Sequence, residues 1–132
     1  MVEYTKQVRY ELNFMDYVPV LYISALTGQR VSQVLKTALS VQEERLVRVP
    51  TAQINRLVRR AVERHHPRSK RGRRLKIYYA SQVAVDPPVF VFHVNDPDLL
   101  HFTYSRYLEN QIRAEYPFTG TPLRLSFRKR KD

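Results

Sequence analysis

Cysteine is absent from the chain. That excludes a disulfide framework, thiolate metal ligands and a cysteine nucleophile, and it fits a reducing cytoplasm. Glycine is nearly as scarce: Gly28, Gly72 and Gly120 are the only three. A phosphate-cradling loop needs two glycines five apart followed by Lys and Ser or Thr, because only glycine lets successive backbone N–H groups curl around phosphate. No such spacing occurs, nor do any two glycines stand three apart as in a Gly-x-x-Gly backbone clamp. There is no run of about 18 apolar residues, and the opening "MVEYTKQVRYELNF" carries charges at helical intervals. The reading is therefore neither a membrane span nor a secretory signal.

Histidines and acids offer little chemistry. His65 and His66 are adjacent and sit beside a basic stretch that repels cations, which argues against a metal site. His93, inside an apolar run, and His101, near a helix start, read as packing or capping residues. Asp96 and Asp98 read as first-turn helix acids, not as an acid/base pair. No Ser/His/Asp grouping is spaced for nucleophilic catalysis.

Basic charge is what the chain has in quantity: 23 Lys and Arg against 12 Asp and Glu, a net charge of +11 over 132 residues. Residues 1–48 carry six basic and five acidic side chains, whereas residues 49–132 carry seventeen and seven. The positive field belongs to the second part. Between Arg56 and Lys76 there are ten cations and one acid, Glu63, and six of the nine residues from Arg68 to Lys76 are basic. Phosphates opposite such a cluster would neutralise it and release counterions. The simpler reading is a solvated basic face with no partner.

With 43% hydrophobic residues the chain can bury one moderate core. Spacing predicts a helix over residues 2–14, with Val8 and Leu12 on one side, and a short apolar strand over 18–24. A loop, "ALTGQR", leads to a helix over 31–46 with Val31, Val34, Leu35, Ala38 and Leu39 on one face. After Pro50, with Thr51 as N-cap, a helix to about residue 65 places Ile54, Leu57, Val58, Ala61 and Val62 on a buried stripe, with Arg56, Arg59, Arg60 and Glu63 opposite. The basic loop follows. "LKIYYASQVAV" and "PVFVFHV" read as strands, the second apolar on both faces and hence central. A helix capped by Asp96, with Pro97 at its first position, turns Leu100, Tyr104, Tyr107, Leu108 and Ile112 inward. A last strand points Leu123, Leu125 and Phe127 inward. The sum is an α+β domain of order α-β-β-α-β, a three-stranded sheet with helices on one face, preceded by a helix-strand-helix unit. Tyr78, Tyr79, Tyr104 and Tyr107 could stack nucleobases, but their spacing favours core packing.

"VPVLYISALTGQRV" resembles the last strand and fifth guanine-nucleotide motif of translation-factor-type GTPases, where a Ser-Ala-x loop lines the base pocket. "SKRGRRLKIYYASQVAVDPPVFVFHVNDPDLLHFTYSRYLENQIR", followed by "GTPLRL", closely resembles the C-terminal KH-like domain of the Der, or EngA, family. These are bacterial ribosome-assembly GTPases with two tandem G domains and this domain last. The resemblance implies that residues 1–47 end the second G domain and that residues 48–132 are the KH-like domain. It implies a cytoplasmic role in ribosome biogenesis and no membrane. Its partners would be ribosomal RNA or the large ribosomal subunit, and the GTPase domains of the same protein.

The family's GTP and Mg require parts this chain lacks. Ser24, Ala25 and Leu26 match the base-contact motif, but the guanine-reading Asn-Lys-x-Asp motif is missing, since Asn13, Asn55, Asn95 and Asn110 are followed by Phe, Arg, Asp and Gln. No nucleotide binding, hydrolysis or cofactor is therefore expected of the chain itself. RNA contact, without a Gly-x-x-Gly clamp, would fall to Arg68, Lys70, Arg71, Arg73, Arg74 and Lys76, joined by Arg56, Arg59 and Arg60. Gly72 would supply a turn that fans these side chains outward, and arginine suits phosphate forks. The alternative is an intramolecular regulatory domain that docks its basic face on a G domain with little RNA contact.

Overall fold

The computed structural model describes residues 2–131. Two helices come first, α1 (Val2–Glu11) and α2 (Ser32–Arg45), and the rest forms the unit α3 (Thr51–Arg64), β1 (Ile77–Ala84), β2 (Val89–Val94), α4 (Phe102–Glu115) and β3 (Arg124–Lys129). The sheet order is β1-β2-β3. β2 pairs antiparallel with β1 and parallel with β3, so a helical crossover must separate β2 from β3, and α4 supplies it. β2 is central, as its apolar run predicts.

α3 forms because its apolar residues recur at helical spacing: Ile54, Leu57, Val58 and Ala61 are all buried. It starts one residue earlier than capping chemistry predicts, for Pro50 (ψ 141°) is the boundary residue and Thr51 is already helical, with no side-chain cap. The core joins this stripe to Phe90, Phe92 and Val94 of β2 and to Tyr104, Leu108 and Ile112 of α4. Phe92 stacks on Phe127 with ring centres 4.8 Å apart, and Phe118 meets the Phe90 ring edge-on at 6.1 Å. Leu123, Leu125 and Phe127 pack against this core only partly buried.

Two amides, the half-buried Asn55 and the buried Gln82, tie the layers together. Asn55 of α3 receives the Ala80 N–H at 2.8 Å and donates to the Ala80 carbonyl at 2.9 Å, completing the edge of β1 as a neighbouring strand would. Gln82, 6% exposed, accepts from the Val49 N–H at 2.6 Å and donates to the Val47 and Ala84 carbonyls. Both satisfy backbone groups that would otherwise be buried without partners.

Three sequence expectations change. The strand expected over residues 18–24 is irregular chain without a ladder, because an apolar run becomes a strand only beside a partner. The stripe formed by Val31, the N-cap of α2, and by Val34, Leu35, Ala38 and Leu39 of α2 is exposed, and α1 buries no residue either. The helix expected from Asp96 is two pieces. Asp96 does cap a 3-10 turn, Pro97–Leu99, accepting the Asp98 N–H at 3.0 Å, but Leu100 turns extended (ψ 126°) and α4 restarts at Phe102. Among the described residues no helix is long and apolar enough to cross a membrane.

Candidate nucleic-acid interface

The basic loop is a tight hairpin tip. Lys70 and Arg73 exchange backbone hydrogen bonds, Lys70 N–H to Arg73 O at 2.7 Å and the reverse at 3.1 Å. The residues between them, Arg71 (φ 55°) and Gly72 (φ 74°), both have positive φ, the signature of a two-residue type I′ turn. Gly72 takes that conformation freely. Arg71 does not, because its Cβ crowds the following carbonyl. Asn95 holds the return arm: its Oδ1 accepts the Lys76 N–H at 2.8 Å and its Nδ2 donates to the Arg74 carbonyl at 3.0 Å.

The turn sorts the cations into two sets. Lys70 Nζ donates to the Asp98 carbonyl at 2.8 Å, and Arg73 pairs with the Asp96 carboxylate at 3.4 Å. These two, with Arg71, line a cleft of about 320 Å³ that also contains Asp96 and Asp98, so part of the charge is neutralised internally. Arg68, Arg71, Arg74 and Lys76 are exposed, and their side chains have no ion pair or hydrogen bond among the described residues. On the outer face of α3, Arg56 and Arg59 are exposed and have no ion pair among the described residues, whereas Arg60 pairs with Glu115 at 2.7 Å. Arg68 borders a separate cleft of about 400 Å³ with His65, His66, His101 and Tyr104. Among the described residues no group of three or more His, Cys, Asp or Glu side chains could hold a metal ion.

The tyrosines divide against expectation. Tyr104 and Tyr107 do pack, donating to the carbonyls of His65 (2.8 Å) and Ala61 (2.6 Å) at the end of α3. Burial, reinforced by Tyr107, raises the Tyr104 pKa from 10.0 to about 12. Tyr78 and Tyr79, by contrast, are 42% and 45% exposed, because Phe90, Phe92 and Val94 fill the sheet's covered face and a register shift between Ile77 and Tyr79 breaks the alternation. Arg130 lies over the Tyr78 ring at 3.8 Å. His93 is not a core residue either: it stacks on Tyr79. Sequence reasoning missed Asp96 and Asp98 as partners of the loop, since nothing in spacing announces a contact more than twenty residues away.

Ser24, Ala25 and Leu26 form a closed turn. The Gly28 N–H reaches the Ser24 carbonyl at 2.8 Å, and Ser24 Oγ accepts the Thr27 N–H at 3.2 Å. Leu26 is 97% exposed.

A mixed three-stranded sheet under two helices, with a basic hairpin between α3 and β1, defines a KH-like domain. Residues 48–128 match the family described as the KH-domain-like of EngA bacterial GTPase enzymes, C-terminal, and the chain belongs to that family. It is 53% identical over 131 residues to GTPase Der of Desulforamulus reducens, covering 99% of this chain and 30% of that protein. Against GTPase Der of Moorella thermoacetica the identity is 54% over 132 residues, covering 100% and 30%, and against that of Halothermothrix orenii 43% over 130 residues, covering 98% and 30%. The chain thus spans about 30% of the length of these relatives.

Proposed function

We propose that the chain acts as the C-terminal, non-hydrolysing part of a ribosome-assembly GTPase, and that its KH-like domain binds ribosomal RNA of the large subunit through phosphate contacts. In this reading Arg68, Arg71, Arg74 and Lys76 carry the contact, with Arg56 and Arg59 extending it, while Lys70 and Arg73 brace the hairpin. The observation that carries it is Arg71, an arginine held at positive φ at a hairpin tip with its charge unpaired. Strain of that kind persists where the tip residue is needed for its side chain.

Residues 1–47 are the end of a second G domain. The family match beginning at residue 48 supports this boundary, and so does the exposed apolar stripe on α2, which the remainder of an α/β domain would cover. GTP and Mg belong to that remainder. The protein would work in the cytoplasm.

Docking of the basic face on a G domain is the competing reading. The contacts between residues 1–47 and the KH-like domain argue against it, because Tyr17 meets Arg113 and Gly120 at the C-terminal end of α4. The loop contacts Asp96 and Asp98, which precede the N-terminal end of α4. A 14-residue helix is roughly 20 Å long, so residues 1–47 meet the KH-like domain away from the loop. Replacing Arg68, Arg71 and Arg74 by Ala should weaken binding to large ribosomal subunits and to unrelated RNAs alike, since phosphate contacts position without specifying. Unchanged RNA binding, with lost affinity for a supplied G domain, would make the loop a docking surface instead.

A further inference from the structure

The sheet has a second face. Phe90, Phe92 and Val94 point into the core, so the alternation of β2 turns His93 away from it. In register, His93 lies between Tyr79 on β1 and Arg128 on β3, giving a row Tyr79–His93–Arg128 across the strands. The Tyr79 and His93 rings stack with centres 4.1 Å apart and planes within 16°. Beside Tyr79, where α3 meets the outer edge of β1, a cleft of about 160 Å³ is lined by Asn55, Arg59 and Glu63 of α3 and by Tyr78.

No strand of the sheet contains an acidic residue, and β3 adds the exposed Arg124 and Arg128. A stack of an exposed tyrosine on a half-buried histidine, flanked by guanidinium groups with no ion pair among the described residues, suits a ligand that alternates flat rings with negative charge. Every nucleobase has a π-face, and every nucleotide a phosphate.

We propose that the Tyr79–His93 stack and the adjoining cleft bind an unpaired base of single-stranded RNA, with Arg59 and Arg128 beside its flanking phosphates. This rests on the RNA-binding reading above and adds a base-contacting surface to the hairpin's phosphate contacts. Histidine serves here as a stacking ring, and the Tyr79 hydroxyl is dispensable.

The 132-residue chain is titrated with hexauridylate while the ring protons of His93 are followed by NMR, with inorganic polyphosphate of equal charge as the control. The oligonucleotide should shift the His93 signals upfield and the polyphosphate should leave them in place. Tyr79→Ala should weaken hexauridylate binding about tenfold without changing its salt dependence, and Tyr79→Phe should bind as the parent does. An equal His93 response to polyphosphate overturns the proposal, as does a response only to an isolated GTPase domain. If Tyr79→Ala binds normally while the Arg68/Arg71/Arg74 variant is weakened, the stacking surface is wrong and the phosphate reading stands. Normal binding by both variants overturns both.

Discussion

The guanidinium of Arg113 lies 4.1 Å from the centre of the Tyr17 ring while donating to the carbonyls of Pro117, Phe118 and Thr121. One side chain thus closes the turn after α4 and holds the N-terminal unit. Burial lowers the Arg113 pKa from its ordinary value, with Glu109, Tyr17 and Asp16 opposing that shift. Arg113→Ala should cost about 2 to 4 kcal/mol, because those carbonyls lose their charged donor. Tyr17→Ala should cost about 1 to 2 kcal/mol, from the cation–π contact and the packing of a half-buried ring. Urea denaturation of both single variants and the double variant should give a coupling energy clearly different from zero.

Gly120 tests the same junction from the backbone. Its φ is +72°, its N–H donates to the Tyr17 carbonyl at 2.8 Å, and an added Cβ would stand 2.6 Å from Val41 Cγ2 on α2. Gly120→Ala should therefore destabilise by about 1 to 2 kcal/mol from the left-handed backbone alone, and by more from the clash. Adding Val41→Ala should recover the clash component and leave the rest. Hydrogen exchange at the amide of residue 120 should be faster in the Gly120→Ala variant than in the parent.

Arg71 predicts a trade between stability and binding. Asparagine tolerates the left-handed region that arginine resists, and type I′ turns favour Asn-Gly. Arg71→Asn should raise stability by about 0.5 to 1 kcal/mol while weakening RNA binding. Thermal unfolding and RNA titration on the same variant check both halves.

Tyr104 sets an alkaline limit. Its neutral form is favoured in the fold, with a pKa of about 12 against an ordinary 10.0. The corresponding stability is fully present below about pH 10 and is lost as pH rises towards about pH 12, because the unfolded chain releases this proton first. Tyr104→Phe should be less stable at neutral pH through the lost bond to the His65 carbonyl, and its stability should decline less over that interval. Denaturation midpoints at several alkaline pH values measure the difference.

The parts of this fold that were legible in sequence are those whose physics is local. Ile54, Leu57, Val58 and Ala61 announce α3 by period, and the unbroken apolar run of β2 announces a strand buried on its core face. The density of charge from Arg68 to Lys76 was visible, but its division was not. Which arginines stay free depends on Asp96 and Asp98 folding back across the hairpin. The run at 18–24 read as a strand because its composition is that of one, yet pairing is a property of neighbours. Tyr79 and His93 looked like core residues for the same reason: alternation tells which residues share a face, not which face is covered.

The salt dependence of RNA binding tests the phosphate-contact claim most directly. For the parent chain and the Arg68→Ala/Arg71→Ala/Arg74→Ala variant, the logarithm of the affinity for a single-stranded RNA is plotted against the logarithm of salt concentration. Each phosphate contact contributes roughly 0.7 to the slope, so losing three should flatten it by about two. Parallel lines for the two proteins, at whatever affinity, would show that these arginines touch no phosphate and would contradict the account.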